Sequence, residues 1–108
     1  MKVKPLIPRA LARQDVDDAV SWYVNEDAER AALGFIDALE QAYAHICRHP
    51  SSGSTRYAYE LGIPELRCWS LKRYPYIVCY VERDDHIDVW RVLHDQRNFA
   101  DWLVSEHY

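Results

Sequence analysis

Glycine is scarce in this chain, three in 108 residues, and they form no glycine-rich loop of the kind that cradles a phosphate. Cysteine is scarce as well. Cys47, Cys68 and Cys79 are an odd number with no Cys-x-x-Cys spacing, which argues against both a disulfide framework and a zinc knuckle. They read as small buried hydrophobes rather than nucleophiles. No apolar run approaches the roughly 20 residues a membrane helix needs, and the opening Met1-Lys2-Val3-Lys4-Pro5-Leu6-Ile7-Pro8 lacks a signal-peptide core. The expected location is therefore the cytoplasm. An excess of positive charge is also missing: 13 Lys and Arg stand against 17 Asp and Glu, a formal net charge of −4. Nonspecific nucleic-acid binding rests on neutralising phosphates, so direct nucleic-acid binding by the isolated chain is not expected.

What the chain does have is apolar and aromatic content. Hydrophobic residues make up 49%, with four Trp and eight Tyr. That suffices for one packed core at this length, and residues 1–108 are read as a single domain. Charge is unevenly spread. Asp15, Asp17, Asp18, Glu26, Asp27, Glu29, Asp37 and Glu40 crowd the first half, where only Arg13, Arg30 and Arg48 oppose them between residues 10 and 49. That half reads as a solvated helical surface, and the slightly basic remainder as a face for an acidic partner.

Val3 to Ile7 reads as a short strand stopped by Pro8. Val16, Ala19, Val20 and Tyr23 then recur at helical spacing within Arg9 to Val24. Asn25-Glu26-Asp27 interrupts the pattern, and Asp27 is placed to cap a second helix whose face is Ala28, Ala31, Ala32, Phe35, Ile36, Leu39, Ala42, Tyr43 and Ile46. The loop His49-Pro50-Ser51-Ser52-Gly53-Ser54 marks a change of architecture. After a less regular stretch to Glu65 come three β-rich runs, Leu66 to Leu71, Tyr76 to Glu82 and Ile87 to Leu93, with connections short enough for hairpins. The expected fold is α+β, in the order β-α-α-β-β-β. It is a helical hairpin on one face of a small, mainly antiparallel sheet to which the first strand adds. Nothing in the pattern places a helix on the second sheet face, which would leave aromatic surface exposed there.

The run Leu66-Arg67-Cys68-Trp69, the strand Tyr74-Pro75-Tyr76-Ile77-Val78-Cys79-Tyr80, and Ile87-Asp88-Val89-Trp90-Arg91-Val92-Leu93-His94 followed by Arg97 are similar to the pattern of the ParE branch of the RelE/ParE toxin superfamily. Tyr23, the stripe around Phe35 and Ile36, and the His49-Pro50 helix end agree with it. The resemblance implies the RelE/ParE-like fold and the toxin half of a type II toxin–antitoxin pair. Its partner would be a ParD-like antitoxin in a hetero-oligomer, and its target DNA gyrase, inhibited by protein binding without catalysis or a cofactor.

Two rival readings go with it: a ribosome-dependent mRNA endoribonuclease of the RelE kind, and a toxin-fold protein that serves only as a complex partner. RNA cleavage needs an acid–base pair and cations for the developing phosphorane, and Arg67, Arg91, His94 and Arg97 are the grouping that approximates such a set. On the binding reading, Arg67, Trp69 and Arg91 are candidates for antitoxin contact, and His94, Arg97 and Trp102 for target contact. His45 and His49, four apart, lack a third ligand at convincing spacing, so metal binding is not expected.

Overall fold

The computed structural model describes residues 3–95. Strand β1 (Leu6–Pro8) leads into helix α1 (Ala10–Asn25) and helix α2 (Glu29–Arg48). A single 3-10 turn (Pro50–Ser52) follows, then a short helix α3 (Arg56–Leu61) and strands β2 (Leu66–Ser70), β3 (Tyr76–Glu82) and β4 (Ile87–His94). The sheet order is β1-β4-β3-β2. Strand β1 runs parallel to β4, and the other pairings are antiparallel. The expected β-α-α-β-β-β order and helical hairpin are present, and the sheet is mixed through β1 alone.

Pro8 belongs to β1 rather than ending it. The Pro5 carbonyl accepts the Ile87 N–H and the Arg9 N–H donates to the Val89 carbonyl. The residues bonded to β4 are thus odd-numbered, and the amide that proline lacks faces away from the ladder, where edge strands tolerate it.

Asp27 does not cap α2 as its position suggested; it closes α1. Its φ of 55° is left-handed, its N–H donates to the Val24 carbonyl, and the Ala28 N–H donates to the Tyr23 carbonyl. That pair of bonds is a Schellman closure with aspartate in the place usually taken by glycine. The N-cap of α2 is Ala28, which has no side-chain bond.

The core lies on both faces of the sheet. Ala12, Ala19, Phe35, Leu39, Ala42 and Ile46 pack against Val78, Tyr80, Val89 and Val92. On the other face Cys68, Cys79, Val81, Trp90 and Leu93 are buried, with Ile63 and with Tyr57, Ala58 and Leu61 around α3. The expectation of a bare second face is corrected by α3. Six residues between a threonine and a glycine were too short to show helical periodicity in the sequence. The register of β3 and β4 shifts between Cys79 and Tyr80, which pair with Arg91 and Val89. Trp90 is the extra residue of a bulge, so Val89 and Val92, three apart, both join the helix-side core.

Two side-chain groups hold elements to the sheet, one under the helical hairpin and one beside Trp90 on the opposite face. The Tyr74 hydroxyl donates to the Ala31 carbonyl at 2.9 Å, and Gly34 permits this because a Cβ there would collide with the phenol oxygen. The Phe35 ring meets Tyr74 and Tyr76 edge-on at 5.8 and 5.0 Å. These contacts pin the hairpin to the β2–β3 connection. The second group is polar: the Asp88 carboxylate accepts from Arg9, Arg83 and the Trp90 indole at 3.0 to 3.3 Å.

Candidate binding surfaces

Because β1 pairs only through Val89, β4 has an uncovered edge beyond it. Helix α1 fills that position with Asp15, whose carboxylate accepts the Val92 N–H at 3.0 Å. It also accepts Arg91 Nε–H and Nη2–H at 2.8 and 2.7 Å. Both side chains of this ion pair are less than a tenth exposed. Arg91 is therefore bonded inside the fold, tying α1 to β4.

Beyond Asp15 the space between α1 and the ends of β3 and β4 opens into a groove of about 620 Å³, lined by Asp18, Ala19, Trp22, Tyr23, Tyr76 and His94 among others. Helical spacing brings Asp15, Asp18, Ala19 and Trp22 to one face of α1, and the strand ends supply the opposite wall. Trp22 is 56% exposed and meets Tyr23 edge-on at 5.1 Å; Tyr76 meets His94 in the same way at 5.2 Å. Burial raises the Tyr23 pKa, with Tyr76 and Tyr74 adding to it. Burial likewise pushes nearby Tyr43 up to about 12, helped by the charge of Asp15. Both phenols remain protonated at neutral pH, and Tyr23 gives the groove an apolar wall with a polar tip.

A second cleft of about 320 Å³ lies between the C-terminal half of α2 and β2, lined by Ala38, Gln41, Ala42, Ala44, His45, Arg48, His49, Trp69, Ser70 and Lys72. The His45 ring stacks on Trp69 with centroids 4.0 Å apart and planes 17° apart. Its Nε2 shares a 3.0 Å hydrogen bond with Ser52 Oγ. Beside the cleft, Arg67 Nη1 donates to the Ser51 and Gly53 carbonyls at 2.8 and 3.0 Å, and the buried Tyr80 hydroxyl donates to the Pro50 carbonyl at 2.7 Å. Gly53 sits so close that a Cβ would come within 2.5 Å of the Tyr80 hydroxyl and 2.9 Å of Arg67 Cβ.

The structure thus divides the residues singled out in the sequence. Trp69, with Arg67 beside it, belongs to the α2–β2 cleft; Arg91 is in the Asp15 ion pair; His94 lines the other groove. Arg97 and Trp102 lie outside the described residues. Arg67 and Arg91 stand on β2 and β4 with β3 between them, each bonded within the fold. His45 and His49 come within 5.2 Å, centroid to centroid. Of the thiols, Cys68 and Cys79 are directly opposed across β2 and β3 and share a 3.7 Å contact. Burial, reinforced by that neighbour, pushes the Cys79 thiol well up. Cys47 is half-buried.

Sequence reasoning did not single out Asp15, Trp22, Arg48 or Lys72 for these surfaces. Trp22 precedes Tyr23 of the apolar stripe by one position and reads as a flank of the core; Lys72 reads as a hairpin residue. Among the described residues no helix is long and apolar enough to cross a membrane.

The model of the family described as "ParE toxin of type II toxin-antitoxin system, parDE" matches residues 6–99. A chain from the solved structure titled "Chromosomal ParDE TA system from P. aeruginosa" has a TM-score of 0.70 and 18% identity, covering 85% of this chain and 96% of that one. At that identity it shows a shared fold. No match is found among curated protein sequences.

Proposed function

Because the chain belongs to the ParE toxins of parDE type II toxin–antitoxin systems, we propose that it acts in the cytoplasm by binding and blocking DNA gyrase, without a catalytic step of its own. A ParD-like antitoxin neutralises it by direct binding. The observation that carries the binding reading over the nuclease one is the state of its arginines. Arg67 donates to two backbone carbonyls and Arg91 is held by Asp15. Charge stabilisation of a phosphorane needs cations aimed at the reacting group, and these are aimed into the fold.

The two surfaces divide the work. The aromatic groove with His94 at its rim engages the target, and Arg97 and Trp102, which lie outside the described residues, take part in that contact. Its exposed Trp22 beside an apolar wall is the type of anchor that carries binding energy at interfaces. The α2–β2 side, with Trp69 in its cleft and Arg67 beside it, receives the antitoxin, while Arg91 contributes by holding α1 against β4.

The deciding experiment incubates the antitoxin-free protein with gyrase and relaxed DNA, and in parallel with translating ribosomes. Loss of supercoiling with intact mRNA is expected. Codon-positioned mRNA cleavage that disappears in His94→Ala would replace this reading with the nuclease one.

A further inference from the structure

Lys4, Arg9, Arg56, Arg83 and Arg91 are all paired with carboxylates. Arg48 and Lys72, like Arg13, Arg30 and Arg73, are exposed, and their side chains make no ion pair or hydrogen bond among the described residues. They line the same cleft as His45 and His49. Among the described residues, not one acidic side chain lines it. The negative C-terminal end of the α2 dipole accounts for basic side chains in that helix's last turn. It does not account for Lys72, which the β2–β3 connection brings to the opposite wall. Nor does it account for the floor, where Ala38, Ala42 and Ala44 and the Trp69–His45 stack give a small, apolar surface.

We propose that this cleft is the seat of an acidic segment of the partner polypeptide. Its carboxylates lie on Arg48 and Lys72, and its aliphatic side chains rest on the alanines of α2 and the edge of Trp69. The proposal rests on the antitoxin reading above and specifies the chemistry of that contact. Charge complementarity selects the occupant. A peptide with a few carboxylates needs only the local cations. A nucleic acid would continue past the cleft onto a molecule of net negative charge, and its next phosphates would meet repulsion.

The test uses a fluorescein-labelled helical peptide with glutamates and leucines at amphipathic spacing, its glutamine analogue, and a single-stranded oligonucleotide as competitor. The glutamate peptide should bind with an affinity that falls as salt rises. Arg48→Glu and Lys72→Glu should each weaken it about tenfold. Arg13→Glu, an exposed reversal on α1, should leave binding unchanged, and circular dichroism checks that all three variants are folded. Equal binding of the glutamine analogue, or equal loss with Arg13→Glu, overturns the proposal, as does displacement by the oligonucleotide more effective than by unlabelled peptide. A second arm expresses the chain with its ParD-like antitoxin. Rescue of growth arrest in the wild type, reduced in the Arg48→Glu, Lys72→Glu double variant, supports the assignment; undiminished rescue in that variant overturns the cleft while leaving the toxin reading intact. Absence of arrest and of antitoxin binding in the wild type sinks the toxin reading, and the peptide arm still decides the cleft.

Discussion

Asp15 accepts two bonds from Arg91 and one from the Val92 N–H, so removing it leaves a buried guanidinium and an open strand edge together. Asp15→Ala should destabilise the protein by about 3–5 kcal/mol in urea titrations, the range for breaking one half of a buried pair. Adding Arg91→Met to Asp15→Leu should recover much of that loss, since the uncompensated charge is then gone. Asp88 makes a pH-dependent contribution. Burial by itself would raise its pKa, but the bonds from Arg9, Arg83 and Trp90 prevail and hold it below the usual carboxylate value. With the folded value below the unfolded one, the stabilisation is complete above about pH 4 and fades as pH falls through the folded value. Urea midpoints measured across the acid range should therefore decline more steeply in the wild type than in Asp88→Asn, which lacks the titrating group.

At the scale of elements, the helix junction is the point where a conventional rule and the chain diverge. An aspartate before an apolar stripe signals an N-cap, yet Asp27 adopts a positive φ and terminates the preceding helix. Asp27→Val should cost about 1–2 kcal/mol, because a β-branched residue in the left-handed region is strained, whereas Asp27→Gly should be neutral or slightly stabilising; thermal melts of the two variants distinguish a C-terminal closure from an N-cap, which would lose stability in both. Why some elements were legible follows from their length. Tyr76–Glu82 and the amphipathic face of α2 are long enough for their periods to show. Helix α3, six residues long, spans fewer than two turns, and the bulge at Trp90 breaks the alternation of β4. The surfaces were less legible than the fold. Trp69 and His94 were singled out in the sequence and line the two concave surfaces, but Asp15 with Arg91, and Arg48 with Lys72, are brought to shared positions only by tertiary packing, for which local spacing carries no signal.

For the molecule as a whole, the two concave surfaces lie at different places on one scaffold, the aromatic groove between α1 and the ends of β3 and β4 and the basic cleft between α2 and β2. If target and antitoxin use them as proposed, Trp22→Ala should impair gyrase inhibition by about tenfold or more while antitoxin affinity stays near the wild-type value, the cost expected of an interface aromatic anchor. Parallel supercoiling assays and antitoxin titrations measure the separation.

The position of β4 in the sheet has a further consequence, for synthesis. It is flanked by β1, the earliest strand in the chain, and by β3, so β1 has no neighbour until Ile87 and the residues after it have left the ribosome. Pairings between such distant segments close slowly, and a nascent chain that stops short of them keeps the apolar side of its helical hairpin uncovered. The sheet is completed only late in translation. A truncated product therefore carries neither the Asp15–Arg91 tie nor the wall of the aromatic groove, and partial translation yields an incomplete fold rather than a weaker toxin.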